Sequence, residues 1–270
     1  MSLVWRGSPE LEFRRPGPAD LCRAVLRGVP LALLLSGGLA LNWMVRLVER
    51  PLCHPRTPVS PGITVVVCRV ALWLIGLRLE VAGTARSGPG AVLANHSSWL
   101  DILVLNSRQR VVFVSKAEVA SWPGIGALAR ATGTLFIRRE ARAEVAEQAR
   151  AITERLGRGQ TLVLFPEGTS TDNQQVLPFK PALLAGLLAA GAPEGVAVQP
   201  VTLRYDAPPS QDPRFYAWFG DMDFAPHALA VLSARRRGQV RLTYHPPIPV
   251  AGRDRKSIAA EAERAVRSAF

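Results

Sequence analysis

Apolar and polar positions follow two different rhythms, with the change near residue 80. The first twenty residues are polar and contain Pro9, Pro16 and Pro18, which predicts a poorly ordered tail. From Gly28 to Val45 the chain reads "GVPLALLLSGGLALNWMV", 18 residues without a charge between Arg27 and Arg46. That length lies at the lower edge for a membrane-spanning helix, and Trp43 suits an interfacial position. Pro30 and Gly37-Gly38 weaken a straight crossing, so a dip into one leaflet and a helix buried in protein remain open. A signal peptide fits poorly, because Glu10, Glu12 and Asp20 precede the run and no small-x-small cleavage site follows it. The pattern therefore predicts a membrane-embedded segment. "PLCHPRTPVSPG", residues 51 to 62, reads as a proline-rich linker with His54 as a loop residue. "ITVVVCRVALWLIGLRLEV" is apolar but interrupted by Arg69 and Arg78. It predicts an interfacial helix that runs into a strand near "LRLEV".

Beyond residue 80 short apolar runs alternate with helical patterns. Strands are predicted at "AVLAN", "VVFVSK", "TLFIRR", "TLVLFPEG", "VAVQPVTLRY" and "QVRLTYHP". Helices are predicted at "SWLDILVLNS", "WPGIGALARA", residues 140 to 157, "PALLAGLLAA" and "RKSIAAEAERAVRSAF". Gly157 stops the third of these and Pro181 sits in the first turn of the fourth. The alternation implies an α/β fold: a central mixed sheet flanked by helices, with an N-terminal membrane-associated helical segment. Two units follow, residues 1 to 60 as tail, embedded helix and linker, and residues 61 to 270 as the α/β domain.

Charge sharpens this picture. The net charge is +12, and thirty of the 33 cationic residues are arginine. Such a balance favours an anionic surface. No zinc-finger spacing and no basic stripe interleaved with aromatics appears, so lipid headgroups fit better than nucleic acid. Cys22, Cys53 and Cys68 are odd in number and match neither a metal site nor a disulfide framework, which implies a reducing compartment.

Candidate chemistry collects where strands hand over to helices. In "NHSSWLD" Asp101 follows His96 by five residues, one of four histidines in the chain. On an ideal helix that separation puts the side chains about 140° apart, so they meet only if His96 precedes the first turn. A neutral imidazole can then act as general base, with the carboxylate fixing its tautomer. The alternative is an ordinary helix start, with Ser97 or Ser98 as N-cap and Asp101 in the first turn. "GTLFIRR" ends a strand on Arg138 and Arg139, either of which can clamp an anion or lie exposed. In "FPEGTSTDN" Pro166 and Gly168 make a turn after a buried strand, where backbone N–H groups can meet phosphate and Glu167 a hydroxyl or an arginine.

Together and in this order these stretches resemble the lysophospholipid acyltransferase family, whose members include 1-acyl-glycerol-3-phosphate acyltransferases. The resemblance rests on His96 and Asp101; on Gly133, Ile137 and Arg139; on Phe165 to Thr169; and on Pro200 in "VQPV". It covers roughly residues 65 to 250. It implies an O-acyltransferase that moves a fatty acyl group from acyl-carrier protein or acyl-coenzyme A to a lysolipid hydroxyl. His96 and Asp101 would be catalytic. Arg139, Arg138, Glu167, Gly168, Thr169 and Lys116 would hold the substrate, with no metal and no cofactor. The implied setting is the bacterial inner membrane, with the site on the cytoplasmic side. Arg138 and Ser170 depart from the family pattern, which often has Asp and Arg there. The family's core activity ranks 1-acyl-glycerol-3-phosphate first as acceptor, giving phosphatidic acid, while Ser170 points to lyso-ornithine lipid, which carries no phosphate; a broader lysophospholipid acyltransferase is the further alternative.

Direct transfer follows from what is missing. No "GxSxG" elbow occurs and no cysteine lies near the motifs, so a covalent acyl-enzyme has no evident nucleophile. Backbone N–H groups at a helix start are expected to hold the oxyanion. A serine-type lipid hydrolase lacks its nucleophile here. A non-catalytic membrane protein would be expected to have lost His96, Asp101 or Glu167.

Overall fold

The computed structural model describes residues 4–53, 57–122, 125–137, 145–188 and 193–270. Helix α1 (Pro18–Cys53) is followed by α2 (Ser60–Ile75), β1 (Arg78–Ala82) and β2 (Gly90–Ala94). Then come α3 (Leu100–Arg108), β3 (Val111–Lys116), α4 (Ile125–Thr132), β4 (Leu135–Ile137) and α5 (Val145–Gly157). The chain ends with β5 (Thr161–Leu164), β6 (Ala197–Asp206), α6 (Phe224–Ser233), β7 (Gln239–Tyr244), β8 (Ile248–Pro249) and α7 (Arg255–Ser268). Short 3₁₀ helices occupy Ala117–Ser121 and Pro181–Leu188.

The strands form one sheet in the order β1-β7-β6-β2-β5-β3-β4, with β8 paired to β6. Pairing is parallel except at β6–β7 and β6–β8. The sheet is therefore mixed and flanked by helices, as the alternating pattern implies. Side chains alternate between its faces. Val92, Ala94, Val163 and Leu203 join α2 and α3 in one core, while Ala91, Leu93, Leu162 and Leu164 join α5 and α7 in the other. Strand β2 is central and buried along its whole length, which explains why "AVLA" reads as a continuous apolar run.

The N-terminal region differs most from expectation. Helix α1 has 36 residues, twice the uncharged run, and continues through Pro30 and Gly37-Gly38. A Cβ on Gly38 would lie 2.6 Å from Val67 Cγ2, so this glycine lets α1 press against α2. Asn42 reinforces the contact, donating to the Ser60 carbonyl at 3.1 Å and to Thr64 Oγ1 at 3.0 Å. Glu49 caps α2 by accepting from the Val59 and Ser60 N–H groups. The expected linker is shortened from both sides, since α1 runs to Cys53 and α2 begins at Ser60, while His54 lies outside the described residues. The best 18-residue window of α1 has a mean hydropathy of 1.8 and is only 11% buried. The helix is long and apolar enough to cross a membrane, with Leu33, Trp43 and Leu47 exposed.

Residues 4–17 have no regular structure, yet they are packed and not loose. Trp5 meets the Phe219 ring edge-on at 5.4 Å and Phe13 meets Phe215 at 6.3 Å. Ser8 donates to Asp172 at 2.6 Å, and Arg6 pairs with Asp221 at 2.7 Å. Apolar side chains that find tertiary partners override the polar, proline-rich texture of the tail. The segment "PALLAGLL" is 3₁₀ where an α-helix was expected, and α6 was not anticipated.

Candidate active site

Strand β2 ends at Ala94 and α3 begins at Leu100, so His96 lies in the connection ahead of the first turn. That placement meets the geometric condition set by the five-residue spacing. His96 Nδ1 lies 2.7 Å from Asp101 Oδ2. The same oxygen accepts from the Ser97 and Ser98 N–H groups at 3.0 and 3.1 Å. Asp101 thus holds the histidine and also reaches back to the helix start, where it lies in the first turn as expected, while the N-cap position falls to Trp99 and not to Ser97 or Ser98. The Ser97 and Ser98 amides are taken up by the carboxylate, so neither is available to an oxyanion. Tyr205 donates to the other oxygen, Oδ1, at 2.6 Å. Asp101 is fully buried while the His96 side chain is 23% exposed, so the pair has an anchored end and an open end.

The imidazole stacks on Phe165 at 4.1 Å, nearly parallel. Its Nε2 has no hydrogen-bond partner among the described residues, and His96 lines a cavity of about 610 Å³. The wall is largely apolar. Leu35 and Leu39 come from α1, Val67 from α2, Leu103 from α3 and Leu128 from α4. Lys116, Gly168, Thr169 and Ser170 also line it. The cavity therefore lies between the sheet domain and the apolar N-terminal helices.

Glu167 stands elsewhere than its expected place against an acceptor hydroxyl or an arginine. It is fully buried, and its two oxygens accept from the His96 N–H at 2.6 Å and the Leu177 N–H at 2.7 Å. Burial raises its pKa to about 8; the two N–H donors pull the other way, and the Asp101 charge adds to the rise. Gly168 has φ 75°, and its N–H closes the turn onto the Phe165 carbonyl at 3.0 Å, so this donor too is engaged. Thr169 Oγ1 accepts from the Trp5 N–H at 3.1 Å, bringing the N-terminal tail to the rim. Arg138 and Arg139 lie outside the described residues.

Three side chains that sequence reasoning did not single out assemble the site. Asn95 exchanges hydrogen bonds with the Leu203 backbone, both at 2.8 Å. Asn173, at φ 61°, does the same with Tyr205 at 2.8 and 3.1 Å. Each side-chain amide mimics a strand and docks its loop onto β6. Tyr205, fully enclosed, has its pKa driven well up by burial and by Asp101, and so stays a donor. Local sequence carries no sign of the Tyr205 contact, which depends on the register of β6. Asn95 beside His96 and Asn173 in the turn-rich third stretch were the available hints. Among the described residues no group of three or more His, Cys, Asp or Glu is arranged to hold a metal ion.

A buried carboxylate, an open imidazole and an apolar chamber beside it define an α/β protein suited to moving a proton at the edge of a lipid-sized cavity. The Acyltransferase family model matches residues 78–204, which include His96, Asp101, Glu167 and most of β6. A lyso-ornithine lipid O-acyltransferase from Rhodobacter capsulatus is 49% identical over 266 residues, covering 98% of this chain and 96% of that protein. The chain belongs to the acyltransferase family. A 1-acyl-sn-glycerol-3-phosphate acyltransferase from Neisseria gonorrhoeae is 39% identical over 137 residues, 50% of this chain and 52% of that protein. The crystal structure of the 1-acyl-sn-glycerophosphate acyltransferase PlsC from Thermotoga maritima shares the fold, with TM-score 0.58, 20% identity and coverage of 92% and 96% of the two chains.

Proposed function

We propose that the protein transfers a fatty acyl group from an acyl thioester to the free hydroxyl of lyso-ornithine lipid. The observation that carries the acceptor is the end-to-end similarity to the Rhodobacter enzyme of that name, against a half-length match to the Neisseria enzyme. This reverses the order expected from family frequency, which ranked 1-acyl-glycerol-3-phosphate first. Ser170 agrees with the reversal, because a neutral side chain stands where a phosphate-binding arginine is common in the family.

The His96–Asp101 geometry supports direct transfer. Asp101 holds Nδ1–H, which leaves Nε2 unprotonated and turned to the cavity. Nε2 takes the proton of the acceptor hydroxyl as its oxygen attacks the thioester carbonyl. Collapse of the tetrahedral intermediate breaks the C–S bond, and the departing thiolate takes the proton from the imidazolium. Asp101 keeps its hydrogen bond to Nδ1 throughout and stabilises that cation. Glu167 acts as a positioning residue by fixing the His96 backbone, and the apolar chamber receives fatty chain. The donor is acyl-carrier protein or acyl-coenzyme A. Helix α1 holds the site at the cytoplasmic face of the inner membrane.

The test mixes the full-length protein in neutral detergent with a labelled acyl thioester and, separately, lyso-ornithine lipid or 1-acyl-glycerol-3-phosphate. Acylation of lyso-ornithine lipid at least tenfold faster is expected. Acylation of 1-acyl-glycerol-3-phosphate alone would restore the phosphate acceptor. Hydrolysis of the thioester with neither lipid product would reject acyl transfer to a lipid.

A further inference from the structure

A second concavity, of about 660 Å³, shares no residue with the His96 cavity. It lies where α2 ends against β1, β7 and the last turn of α3. Arg69, Arg78, Arg108 and Arg237 line it, all exposed, above the buried Leu72 and Leu77. Its one acidic wall residue, Asp206, is already engaged by Arg241 at 2.9 and 3.1 Å and by Gln239 at 2.9 Å. Arg78 has a carboxylate no nearer than Glu80 at 3.9 Å, and the other three have no ion pair among the described residues. Arg69 is held in place by donating from Nε to the Ser107 carbonyl at 2.8 Å, which leaves its outer nitrogens available. Arg237 lies over the end of α2, where its charge suits the helix carbonyls. It also repels Arg27 of α1, so the helix end compensates only part of the local charge.

Four guanidiniums around one hollow call for an anion with several acceptor oxygens. The planar fork of arginine matches phosphate in two-point contact. The surroundings indicate where that phosphate comes from. Val66, Val70 and Trp73 share one face of α2 and are 58%, 37% and 69% exposed, with Trp73 on the rim of the groove. An apolar helix face bordered by tryptophan and arginine is the arrangement found at a lipid headgroup layer. The volume is within the usual range for small-ligand sites.

We propose that this groove is a second lipid site, one that takes the phosphate of an anionic glycerophospholipid and so fixes the height and tilt of the domain on the membrane. The inference does not depend on which lysolipid is acylated.

The test uses the full-length protein in neutral detergent, with thermal unfolding as readout. Short-chain phosphatidylglycerol is expected to raise the unfolding midpoint by at least about 4 °C, while short-chain phosphatidylcholine leaves it unchanged. The variant R78Q/R108Q/R237Q should lose that shift. The single variants Arg108→Gln and Arg237→Gln, each expected to weaken phosphatidylglycerol binding at least threefold, carry the test if the triple variant does not fold. R253Q/R264Q, at a remote surface, should keep the full shift. An undiminished shift in the folded arginine variants overturns the proposal. So does an equal shift from inorganic phosphate at the same concentration, which would make the ligand a free anion. A raised KM for acyl-carrier protein with the lipid shift intact would assign the groove to an acidic protein partner and also overturn it.

Discussion

Replacing Glu167 by glutamine separates a clamp from a substrate contact. Glu167 accepts two buried backbone N–H groups, one from the residue that carries the imidazole. At pH 6 the side chain is the neutral acid, whose hydroxyl oxygen still accepts through a lone pair, whereas an amide has a single acceptor oxygen, so one N–H would face an NH₂ donor. A buried donor left without its acceptor costs about 1–3 kcal/mol. At about 2–4 °C per kcal/mol for a chain of this size, the midpoint at pH 6 should fall by roughly 2–12 °C. The pH dependence has a definite sign. The native carboxyl has its pKa raised from 4.5 to about 8 by burial, so between those values the folded protein keeps a proton that the unfolded chain has released. Its contribution to stability is complete below pH 4.5 and is lost as the pH rises through about 8. Each pH unit within that window removes up to about 1.4 kcal/mol. Glutamine does not titrate, so the gap between wild type and Glu167→Gln should narrow between pH 6 and pH 8. Thermal unfolding at the two pH values measures it. In the acyl-transfer assay kcat should fall, because His96 loses its backbone anchor, while KM for the lysolipid stays within about twofold. A variant with an unchanged midpoint at pH 6 and a tenfold higher KM for the acceptor would refute the clamp and return Glu167 to the substrate.

His96→Ala should retain its fold and lose at least about 10²-fold in turnover, the scale of a missing general base; a folded variant with near-normal turnover would remove His96 from the chemistry. Asp101→Asn should impair turnover in the same way, measured alongside it. Tyr205→Phe deprives the Asp101 Oδ1 of its 2.6 Å donor. The carboxylate is then anchored less firmly under the imidazole, so kcat should fall at least about threefold while KM for the lysolipid stays unchanged. A lower melting temperature with kcat unchanged would mean that Tyr205 only supports the packing.

The order of elements along the chain was enough to specify the α/β class, because short apolar runs alternating with helical patterns require a sheet covered by helices. Ala91 and Leu93 go to one face of β2 and Val92 and Ala94 to the other, as spacing alone requires. The His–Asp separation was similarly informative, since five residues meet across a helix start and not along a helix. The α1 boundaries were less legible. Sequence marks Pro30 and Gly37-Gly38 as weak points, yet contact with Val67 and the capping of α2 by Glu49 carry the helix through to Cys53. The tail, too, is ordered by partners hundreds of residues away, such as Phe219 for Trp5. The role of Glu167 was decided only in three dimensions. Its motif identifies a carboxylate in a turn, but whether that carboxylate meets solvent, substrate or backbone depends on how the turn docks against β2. Tyr205 lies further still from any local signal. Its hydroxyl reaches Asp101 across 104 positions because β6 pairs with β2 in one register, and a one-residue slip would turn it to the opposite face. Local chemistry is written in residue types and short spacings, whereas a contact between distant strands exists only once the sheet has aligned them.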